Sequence, residues 1–503
     1  MRRASGVSGL EEPVKPDDRP RASLGRAAAK GGLVLGAAGA IENGVQFVRA
    51  LVLARILLPG DFGLMGMALV AMQAADALSQ TGFHRALMRK REDAKDYLDT
   101  VWTISALRGL ALAALLHMSA PLIASFFSTP ETIPILRTLS VVFLLNGLLN
   151  PAYYLVERDL EFVRFSIPRL AALAADLALS IILAIVQRNV WAMVWGYLFG
   201  RVVILAASYM VAPYRPRLSI QREKVRDLHS YGKHISRSMA VEYVMMQLDK
   251  VLVGRMLGPE AFGLYAFAWR LASLPALVAS TIVIVVAFPI FSQVQDDLAR
   301  LRAGFLRALG LMTAVTIPFS VGLAATSSDM VEVILGKKWS GTIPSLRVLC
   351  LAGACVALFN LVSSILAGIG RPEISARGVY VFFVVLAIPL YPAIGAWGLR
   401  GAAWCVATAA FVTFLFLLVA GARLTQCGVV DVARTLAAPM LASLVMVGVV
   451  LGERMLLAGD PTWPSLILGV LSGAGVYAVM TIVLDSMLKG GLLPSLRSAV
   501  KIA

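Results

Sequence analysis

Charged residues are scarce in this chain of 503 residues. Only 15% are Asp, Glu, Lys or Arg, against roughly a quarter in an ordinary soluble domain, while 58% are hydrophobic. This shortage excludes a water-facing globule of such length. The four cysteines lie in or beside apolar stretches and offer neither a disulfide framework nor a zinc motif. No glycine-rich nucleotide loop and no catalytic constellation stands out, so nucleotide-driven chemistry is not indicated.

Long apolar runs are what the sequence has instead. A bilayer core about 30 Å thick is crossed by about 20 mostly apolar residues of helix, and the runs here are too long for barrel strands. We therefore predict an all-α, polytopic membrane protein with about 14 transmembrane helices. The predicted segments are residues 31–56, 62–84, 98–126, 134–156, 166–187, 190–212, 236–256, 262–290, 304–326, 343–369, 375–396, 399–421, 434–456 and 464–487.

Basic residues outnumber acidic residues by 46 to 30, and they are distributed unevenly. Most of them fall in the termini and in alternate loops, such as MRKREDAK and YRPRLSIQREKVRD. This is the positive-inside pattern, so we predict that both termini are cytoplasmic. The basic loops then contact anionic membrane lipids, and no nucleic-acid partner is expected. The first 29 residues have the composition of a disordered tail, and the apolar run after them is too long for a cleaved signal peptide.

One motif occurs twice in the chain. RILLPGDFGL, residues 55–64, returns as RMLGPEAFGL, residues 255–264, with six of ten positions identical. Because an even number of predicted crossings separates the copies, the repeat is parallel. It predicts two six-helix lobes related by a pseudo-twofold axis along the membrane normal, with two further helices. The Pro and Phe-Gly-Leu residues are typical of a turn that starts a helix, so we expect the motif to be structural.

The repeat divides the chain into five parts. They are a disordered cytoplasmic tail (1–29), an N-lobe with segments 1–6 (30–213), a basic cytoplasmic linker (214–235), a C-lobe with segments 7–12 (236–424), and segments 13 and 14 with a cytoplasmic tail (425–503).

Arginines inside the predicted segments are candidate site residues, because charge in hydrocarbon is costly. Arg49 and Arg108 have no carboxylate at equal depth within their own helical hairpins. We expect both to face a wet cavity and to bind an anion through bidentate hydrogen bonds. Arg270 is a third candidate, although Asp249 lies at matching depth and would partly neutralise it.

Acidic and polar side chains form stripes on several predicted helices. Asp176 and Arg201 lie at matching depth, so we expect a structural ion pair. Glu42 and Asp76 also match in depth, and we hypothesise that they share a proton and couple transport to a proton gradient. Neutralisation of Arg49 by Glu42 is the alternative. The predicted substrate-binding residues are Arg49, Arg108, Arg270, Gln46 and Gln73, and the predicted ion-coupling residues are Glu42, Asp76, Glu242 and Asp249.

Several stretches resemble the oligosaccharide and polysaccharide flippases of bacterial envelopes, which belong to the multidrug/oligosaccharidyl-lipid/polysaccharide superfamily. They are ALVLARILLPGDFGLMGMALVAM, DKVLVGRMLGPEAFGLYAFAWRLASLP, KDYLDTVWTISALRGL and LVERDLEFVRF, and the resemblance covers about residues 30–425. It implies export of undecaprenyl-pyrophosphate-linked sugar units across the bacterial inner membrane by alternating access, for exopolysaccharide or lipopolysaccharide biosynthesis. The implied partners are the lipid-linked oligosaccharide, membrane lipids and other polysaccharide assembly proteins. No cofactor is implied, and a proton or sodium ion is the expected coupling ion.

Two other functions compete with this one. A cation-coupled multidrug exporter of the same superfamily would favour carboxylates over arginines in its cavity. A membrane-embedded polysaccharide polymerase or glycosyltransferase would be an enzyme with sizeable outer loops, whereas the longest outer connection here, SSDMVEVILGKKWSGTIP, is short. The sequence therefore favours a transporter over an enzyme.

Overall fold

The protein is helical throughout the parts that the computed structural model describes, which are residues 21–79, 87, 94–159, 161–276, 297–457 and 461–488. No strand occurs within these ranges. Nine helices in them are long and apolar enough to cross a membrane. The predicted all-α, polytopic membrane fold is thereby confirmed, while the number of fourteen crossings stays a prediction.

Seven helices form the N-lobe. They are α1 (Arg21–Ile56), α2 (Pro59–Ser79), α3 (Leu98–Phe127), α4 (Thr132–Gly147), α5 (Tyr153–Arg158), α6 (Phe162–Gln187) and α7 (Trp191–Val211). Helix α1 begins earlier than predicted, so residues 21–29 are helical and not part of a disordered tail. Alanines in RASLGRAAAK, the strongest helix formers, account for the extension. Residues 1–20 lie outside the described ranges.

Predicted segment 4 is broken into α4 and α5. Pro151 lies in the break, where its missing N–H cannot continue a helix. Asn150 is fully buried there, and its Nδ2 donates to the carbonyls of Ser208 (3.0 Å) and Ala212 (2.5 Å). The freed carbonyl of Leu148 accepts a hydrogen bond from the Tyr209 hydroxyl (2.8 Å). The break is therefore possible inside a membrane because its backbone groups have partners.

The C-lobe and the last two helices continue the chain. They are α8 (Arg222–Ala272), α9 (Leu298–Ala325), α10 (Ile343–Gly368), α11 (Pro372–Leu424), α12 (Val429–Leu457) and α13 (Trp463–Leu488). Two of these runs turn sharply at a glycine with positive φ, Gly258 (83°) in α8 and Gly398 (57°) in α11, where a side chain would be strained. Each run therefore holds two predicted segments. Segment 8 is described only as far as residue 276.

Neighbours in the sequence are not always neighbours in space. The pairs α3 and α4, α6 and α7, and α10 and α11 pack as hairpins, and α12 and α13 pack beside α9. In contrast, α1 packs mainly on α6, and α2 packs mainly on α8 of the other lobe. Helices α1 and α2 therefore do not pack against each other as a hairpin. Instead, α2 packs against the other lobe and connects the two lobes.

The two copies of the repeated motif meet at the side predicted to face away from the cytoplasm, called the outer side below. A Cβ atom at Gly63 would lie 1.7 Å from the Pro259 carbonyl oxygen, and one at Gly263 would lie 1.9 Å from the Pro59 carbonyl oxygen. The contact is reciprocal, as a pseudo-twofold axis requires. Only glycine allows the backbones of the lobes to touch in this way. Each lobe thus contributes one copy of the motif to a single interface between the lobes.

The segment between α9 and α10 strengthens this outer contact. Trp339 in that segment is fully buried, and its indole N–H donates to the Ala54 carbonyl at the end of α1 (2.8 Å). Its ring packs edge-on against Phe62, with the centroids 5.2 Å apart. Lys338 Nζ donates to the Arg55 carbonyl (2.9 Å). The outer segment of the C-lobe is therefore attached to the N-lobe.

The substitution Gly63→Ala is expected to destabilise the closed outer side by about 1–3 kcal/mol, because the added methyl group would overlap the Pro259 carbonyl. Gly60→Ala in the same helical turn is the matched control, since nothing lies within 4 Å of a Cβ atom there. Thermal unfolding of the purified protein in detergent measures both. Equal unfolding midpoints for the two variants would argue against a direct backbone contact between the lobes.

Candidate functional site

A polar cavity of about 340 Å³ lies between the two lobes and is called the central cavity. Asn43, Gln46 and Phe47 of α1 line one side, and Arg270 of α8 and Asn360 of α10 line the other. Its volume falls within the roughly 300–1,000 Å³ of typical ligand pockets. Two predicted substrate-binding residues, Gln46 and Arg270, thus line the same cavity from opposite sides.

Arg270 crosses from one lobe to the other. Its Nη2 donates to the backbone carbonyl of Gln46 (2.9 Å). The expected partial neutralisation by Asp249 is wrong, because Asp249 points into the C-lobe interior and accepts a hydrogen bond from the Tyr265 hydroxyl (2.9 Å). Among the acidic side chains that the structure describes, none forms an ion pair with Arg270. Its guanidinium therefore keeps donors for an anion in the cavity.

Arg49 has a carboxylate partner, contrary to the sequence expectation. Its Nη2 donates to Asp176 Oδ1 (2.8 Å) and to Ser180 Oγ (2.8 Å), both on α6. The expectation failed because it compared α1 only with α2, whereas α1 packs on α6. Asp176 consequently pairs with Arg49 and not with Arg201. The buried Nε of Arg49 has no hydrogen-bond partner in the described part of the chain, so this guanidinium is not fully satisfied.

Arg108 also has a partner. Its Nη2 donates to Asp76 Oδ1 (2.6 Å), and its Nε donates to the Ser79 carbonyl (2.9 Å) at the end of α2. The carboxylate comes from α2, which lies outside the helical hairpin of Arg108. A cation at a helix C-terminus is stabilised by the free carbonyls there. The expectation that Arg108 has no carboxylate partner is therefore wrong, and its role in substrate binding stays a prediction.

Glu42 and Asp76 are not brought together as hypothesised. Glu42 Oε2 accepts from Arg169 Nη2 on α6 (2.8 Å), while Asp76 is bound to Arg108. Because α1 packs on α6 and α2 on α8, equal depth along the hairpin does not give proximity. Each carboxylate has its own guanidinium partner, and the two do not contact each other as a shared proton would require.

Gln73 joins the lobes instead of lining the central cavity. Its Oε1 accepts a hydrogen bond from the Tyr243 hydroxyl of α8 (3.2 Å). Tyr243 also donates to the Val70 carbonyl (3.2 Å). Gln73 is thus an interlobe contact in the structure, and its role in substrate binding stays a prediction. Glu242 lies next to Tyr243 in α8, and its side chain is outside what the structure describes.

A second cavity of about 230 Å³, the C-lobe cavity, contains Asp249. This carboxylate is only 5% exposed, and the walls are mostly apolar, with Asn360 and Thr413 as further polar side chains. Among the described residues, no group of three or more His, Cys, Asp or Glu could hold a metal ion. A single buried carboxylate is suited to a proton or to a monovalent cation.

A third cavity of about 220 Å³, called the N-lobe chamber, lies between α1, α6 and α7. Arg201 of α7 lines it and donates to the Tyr197 hydroxyl (3.0 Å). The predicted pair of Arg201 with Asp176 is wrong because α6 and α7 approach closely at Gly196. A Cβ atom there would lie 2.9 Å from Asp176 Oδ1, and this places the carboxylate toward Arg49.

Arg169 and Tyr197 of the N-lobe chamber, and Tyr265 as the partner of Asp249, are not among the residues predicted from the sequence. Arg169 lies inside α6, two turns before Asp176. Tyr197 and Arg201 are four residues apart on one helix face, which was the available signal. Tyr265 lies among apolar residues of the motif hairpin and gave no polar pattern.

An apolar groove of about 520 Å³ runs between α9, α12 and α13. Phe319, Met446, Leu466 and Tyr477 are among its lining residues, and apolar atoms form nearly all of its surface. Such a groove accommodates an apolar chain far better than a head group.

Comparisons with known proteins give a consistent result. A family profile described as polysaccharide biosynthesis protein matches residues 52–344. The lipopolysaccharide biosynthesis protein WzxC of Escherichia coli K12 is 27% identical over 348 residues, or 69% of this chain and 70% of that protein. The teichuronic acid biosynthesis protein TuaB of Bacillus subtilis 168 is 26% identical over 347 residues, or 68% of this chain and 71% of that protein.

Solved structures share the fold. The lipid II flippase MurJ in an inward closed conformation superposes with a TM-score of 0.72 at 16% identity, covering 90% of this chain and 99% of that one. An inward-facing multidrug resistance MATE transporter of the MOP superfamily gives a TM-score of 0.60 at 17% identity, covering 76% and 95%. At these identities the likeness concerns the fold alone.

Removing the partner of Arg49 should cost stability. Asp176→Ala is expected to destabilise the protein by about 3 kcal/mol, because Arg49 and Asp176 are only 18% and 15% exposed and a buried guanidinium is left unpaired. Glu161→Ala, which breaks a half-exposed pair with Arg164, is the control and should cost less than about 1 kcal/mol. Thermal unfolding in detergent compares them. If Asp176→Ala unfolds at the same temperature as Glu161→Ala, the pair of Arg49 and Asp176 does not stabilise the protein more than an exposed pair does.

Proposed function

This chain belongs to the polysaccharide biosynthesis protein family, and from that premise we propose that it is a flippase for undecaprenyl-pyrophosphate-linked oligosaccharides in the bacterial inner membrane. It is a multi-pass membrane transporter and not an enzyme. The proposed cargo moves from the inner to the outer leaflet, where exopolysaccharide or lipopolysaccharide is assembled.

The observation that carries this proposal is Arg270 in the central cavity. It is a permanently charged group between the lobes, and no carboxylate of the described residues pairs with it. A guanidinium at membrane depth requires water or an anion. Pyrophosphate supplies oxygens that guanidinium groups bind in bidentate fashion.

Arg49 supports the same assignment. It follows Gln46 by three residues on α1, and Gln46 accepts the hydrogen bond of Arg270, so two like charges lie in the same region and repel each other. Asp176 compensates the charge of Arg49 only in part, since the Arg49 Nε has no partner in the described ranges. An anion held between the two arginines would relieve both the repulsion and the missing hydrogen bond.

The cycle that we propose is alternating access. In the structure the outer side is closed by the reciprocal contact of Gly63 and Gly263 and by buried Trp339. The head group would enter the central cavity from the cytoplasmic side, and opening of the outer contact would release it. The polyprenyl tail would remain in the groove between α9, α12 and α13. The two states must bind the head group with different free energies for the cycle to be driven.

We place ion coupling at Asp249 in the C-lobe cavity. Its carboxylate is buried, and its partner in the described part of the chain is the neutral hydroxyl of Tyr265. A buried carboxylate without a cation binds a proton or a sodium ion more readily than one already paired with arginine. Asn360 lines both this cavity and the central cavity, so binding in one can affect the shape of the other.

The alternative of a cation-coupled multidrug exporter is less well supported. Its cationic substrates would require a central cavity lined by carboxylates, whereas the charged side chain that lines this one within the described ranges is Arg270.

A deletion and a substitution test the proposed cargo. Without the gene, the lipid-linked sugar unit should accumulate on the cytoplasmic face of the inner membrane. In vesicles with purified protein, Arg270→Gln should lower translocation about tenfold or more, since a charged hydrogen bond contributes about 1.5–3 kcal/mol. Arg270→Lys should retain part of the activity.

The exposed cytoplasmic residue Arg164 provides the control for this experiment, and Arg164→Gln should translocate normally. If Arg270→Gln translocates the cargo at the wild-type rate, Arg270 does not bind the cargo, and the main argument for the proposal fails. Absence of any accumulated intermediate in the deletion strain would exclude the flippase function itself.

Ion coupling is tested with Asp249→Asn. The variant should lose the acceleration of transport by an imposed proton or sodium gradient, because the neutral amide cannot bind either ion as a carboxylate does. Comparison of the two gradients identifies the ion, and Glu161→Gln, which is half-exposed, should respond like wild type. An unchanged gradient response in Asp249→Asn would place coupling elsewhere.

A further inference from the structure

The N-lobe chamber contains a deeply placed charge. Arg201 lies at the middle of α7, which runs from Trp191 to Val211, so about 15 Å of helix separates it from either end. Its Cζ lies 4.8 Å from the centre of the Tyr197 ring, and its Nη2 donates to the Tyr197 hydroxyl (3.0 Å). These contacts fix the direction of the guanidinium but do not neutralise it.

Both carboxylates of the chamber wall are already paired with a guanidinium group. Glu42 is paired with Arg169, which also lines the chamber (2.8 Å), and Asp176 is paired with Arg49, which is not a lining residue (2.8 Å). Among the side chains that the structure describes, Arg201 is thus the lining arginine without a carboxylate, and its positive charge is left uncompensated. A group with a single negative charge would complete the balance.

The same walls offer acceptors for hydroxyl groups. Glu42 uses Oε2 for Arg169, and Asp176 uses Oδ1 for Arg49 and Ser180. In the part of the chain that the structure describes, the second oxygen of each carboxylate has no hydrogen-bond partner. Gln46, which carries an amide with both a donor and an acceptor, also lines the chamber. The ligand that matches these walls combines one anionic group with several hydroxyl donors.

Size and position restrict this ligand further. The chamber of about 220 Å³ is smaller than the roughly 300–1,000 Å³ of pockets for drug-sized molecules, so it has room for one ring and not for an oligosaccharide. Gln46 lines both the chamber and the central cavity. A group in the chamber can therefore belong to a larger cargo whose remainder occupies the central cavity.

We propose that the N-lobe chamber binds one acidic sugar of the cargo, with the sugar carboxylate on Arg201 and the sugar hydroxyls on Glu42, Asp176 and Gln46. This rests on the proposed function, and it adds a preference for saccharide units that carry a uronic acid. Arg201 is the specificity-determining residue, and Tyr197 is a positioning residue that holds the guanidinium toward the chamber.

Binding to the purified full-length protein in detergent tests the chamber directly. The probes are methyl glucuronide, methyl glucoside, which differs only at C6, and inorganic phosphate. Wild type should bind the glucuronide at least about tenfold more tightly than the glucoside, since one charged hydrogen bond is worth that factor. Arg201→Gln should abolish the difference, and Arg188→Gln, at the exposed turn between α6 and α7, should keep it.

Three results of this binding experiment would overturn the inference. They are equal binding of both sugars by wild type, phosphate that competes as well as the glucuronide, and a preference that survives in Arg201→Gln. If Arg201→Gln does not fold, Arg201→Lys decides. It keeps the charge but loses the bidentate geometry, so its preference should fall at least about threefold, whereas an unchanged preference counts against Arg201.

Translocation separates this inference from the proposed function. Two lipid-linked disaccharides that end in glucose or in glucuronate are offered to vesicles containing wild type or Arg201→Gln. Arg201→Gln should lose transport of the acidic cargo and keep that of the neutral one. Equal loss of both contradicts a specificity site but leaves the flippase function intact. If wild type moves neither cargo, the flippase proposal fails, and the binding results alone decide the role of the chamber.

Discussion

The cost of a charge in hydrocarbon determines the architecture of this membrane protein. Arg49 and Arg108 each bind a carboxylate on a neighbouring helix, and these pairs fix which helices pack together. Arg270 and Arg201 have no such partner within the described ranges, and both line cavities. Paired arginines thus stabilise the N-lobe, while the arginines left without carboxylates mark the spaces where an anionic cargo can stand in for the missing partner.

Composition and periodicity were sufficient to predict the fold class. A low charge content and long apolar runs require lipid-embedded helices, and the parallel repeat predicted the two lobes. The break at Asn150 was not predicted, because an apolar run continues through it and only tertiary hydrogen bonds reveal the interruption. The repeat also did not reveal that its two copies touch. A repeated sequence identifies equivalent positions in the two lobes, but it does not show which of these positions lie at the pseudo-twofold axis and so contact each other.

The predicted site residues were only partly assembled as expected. Gln46 and Arg270 do line the same cavity, whereas the predicted pairs of charges differ from the observed ones. The depth of a residue in the membrane can be predicted from its distance to the turn of its hairpin, because both helices rise equally per residue. Which other helices lie beside that residue cannot be predicted in this way, since it depends on how whole helices pack. Asp176 binds Arg49 because α1 packs on α6, and Arg201 instead contacts Tyr197 of its own helix.

The reciprocal contact between Gly63 and Gly263 has a mechanical consequence. Each glycine meets a proline carbonyl of the opposite lobe with no side chain between them, so no flexible group can follow the partner as the lobes separate. Packed backbone surfaces have two arrangements rather than a continuum. In the proposed cycle, the doubled motif would therefore be either fully in contact or fully separated, and water would not leak through a half-open outer face.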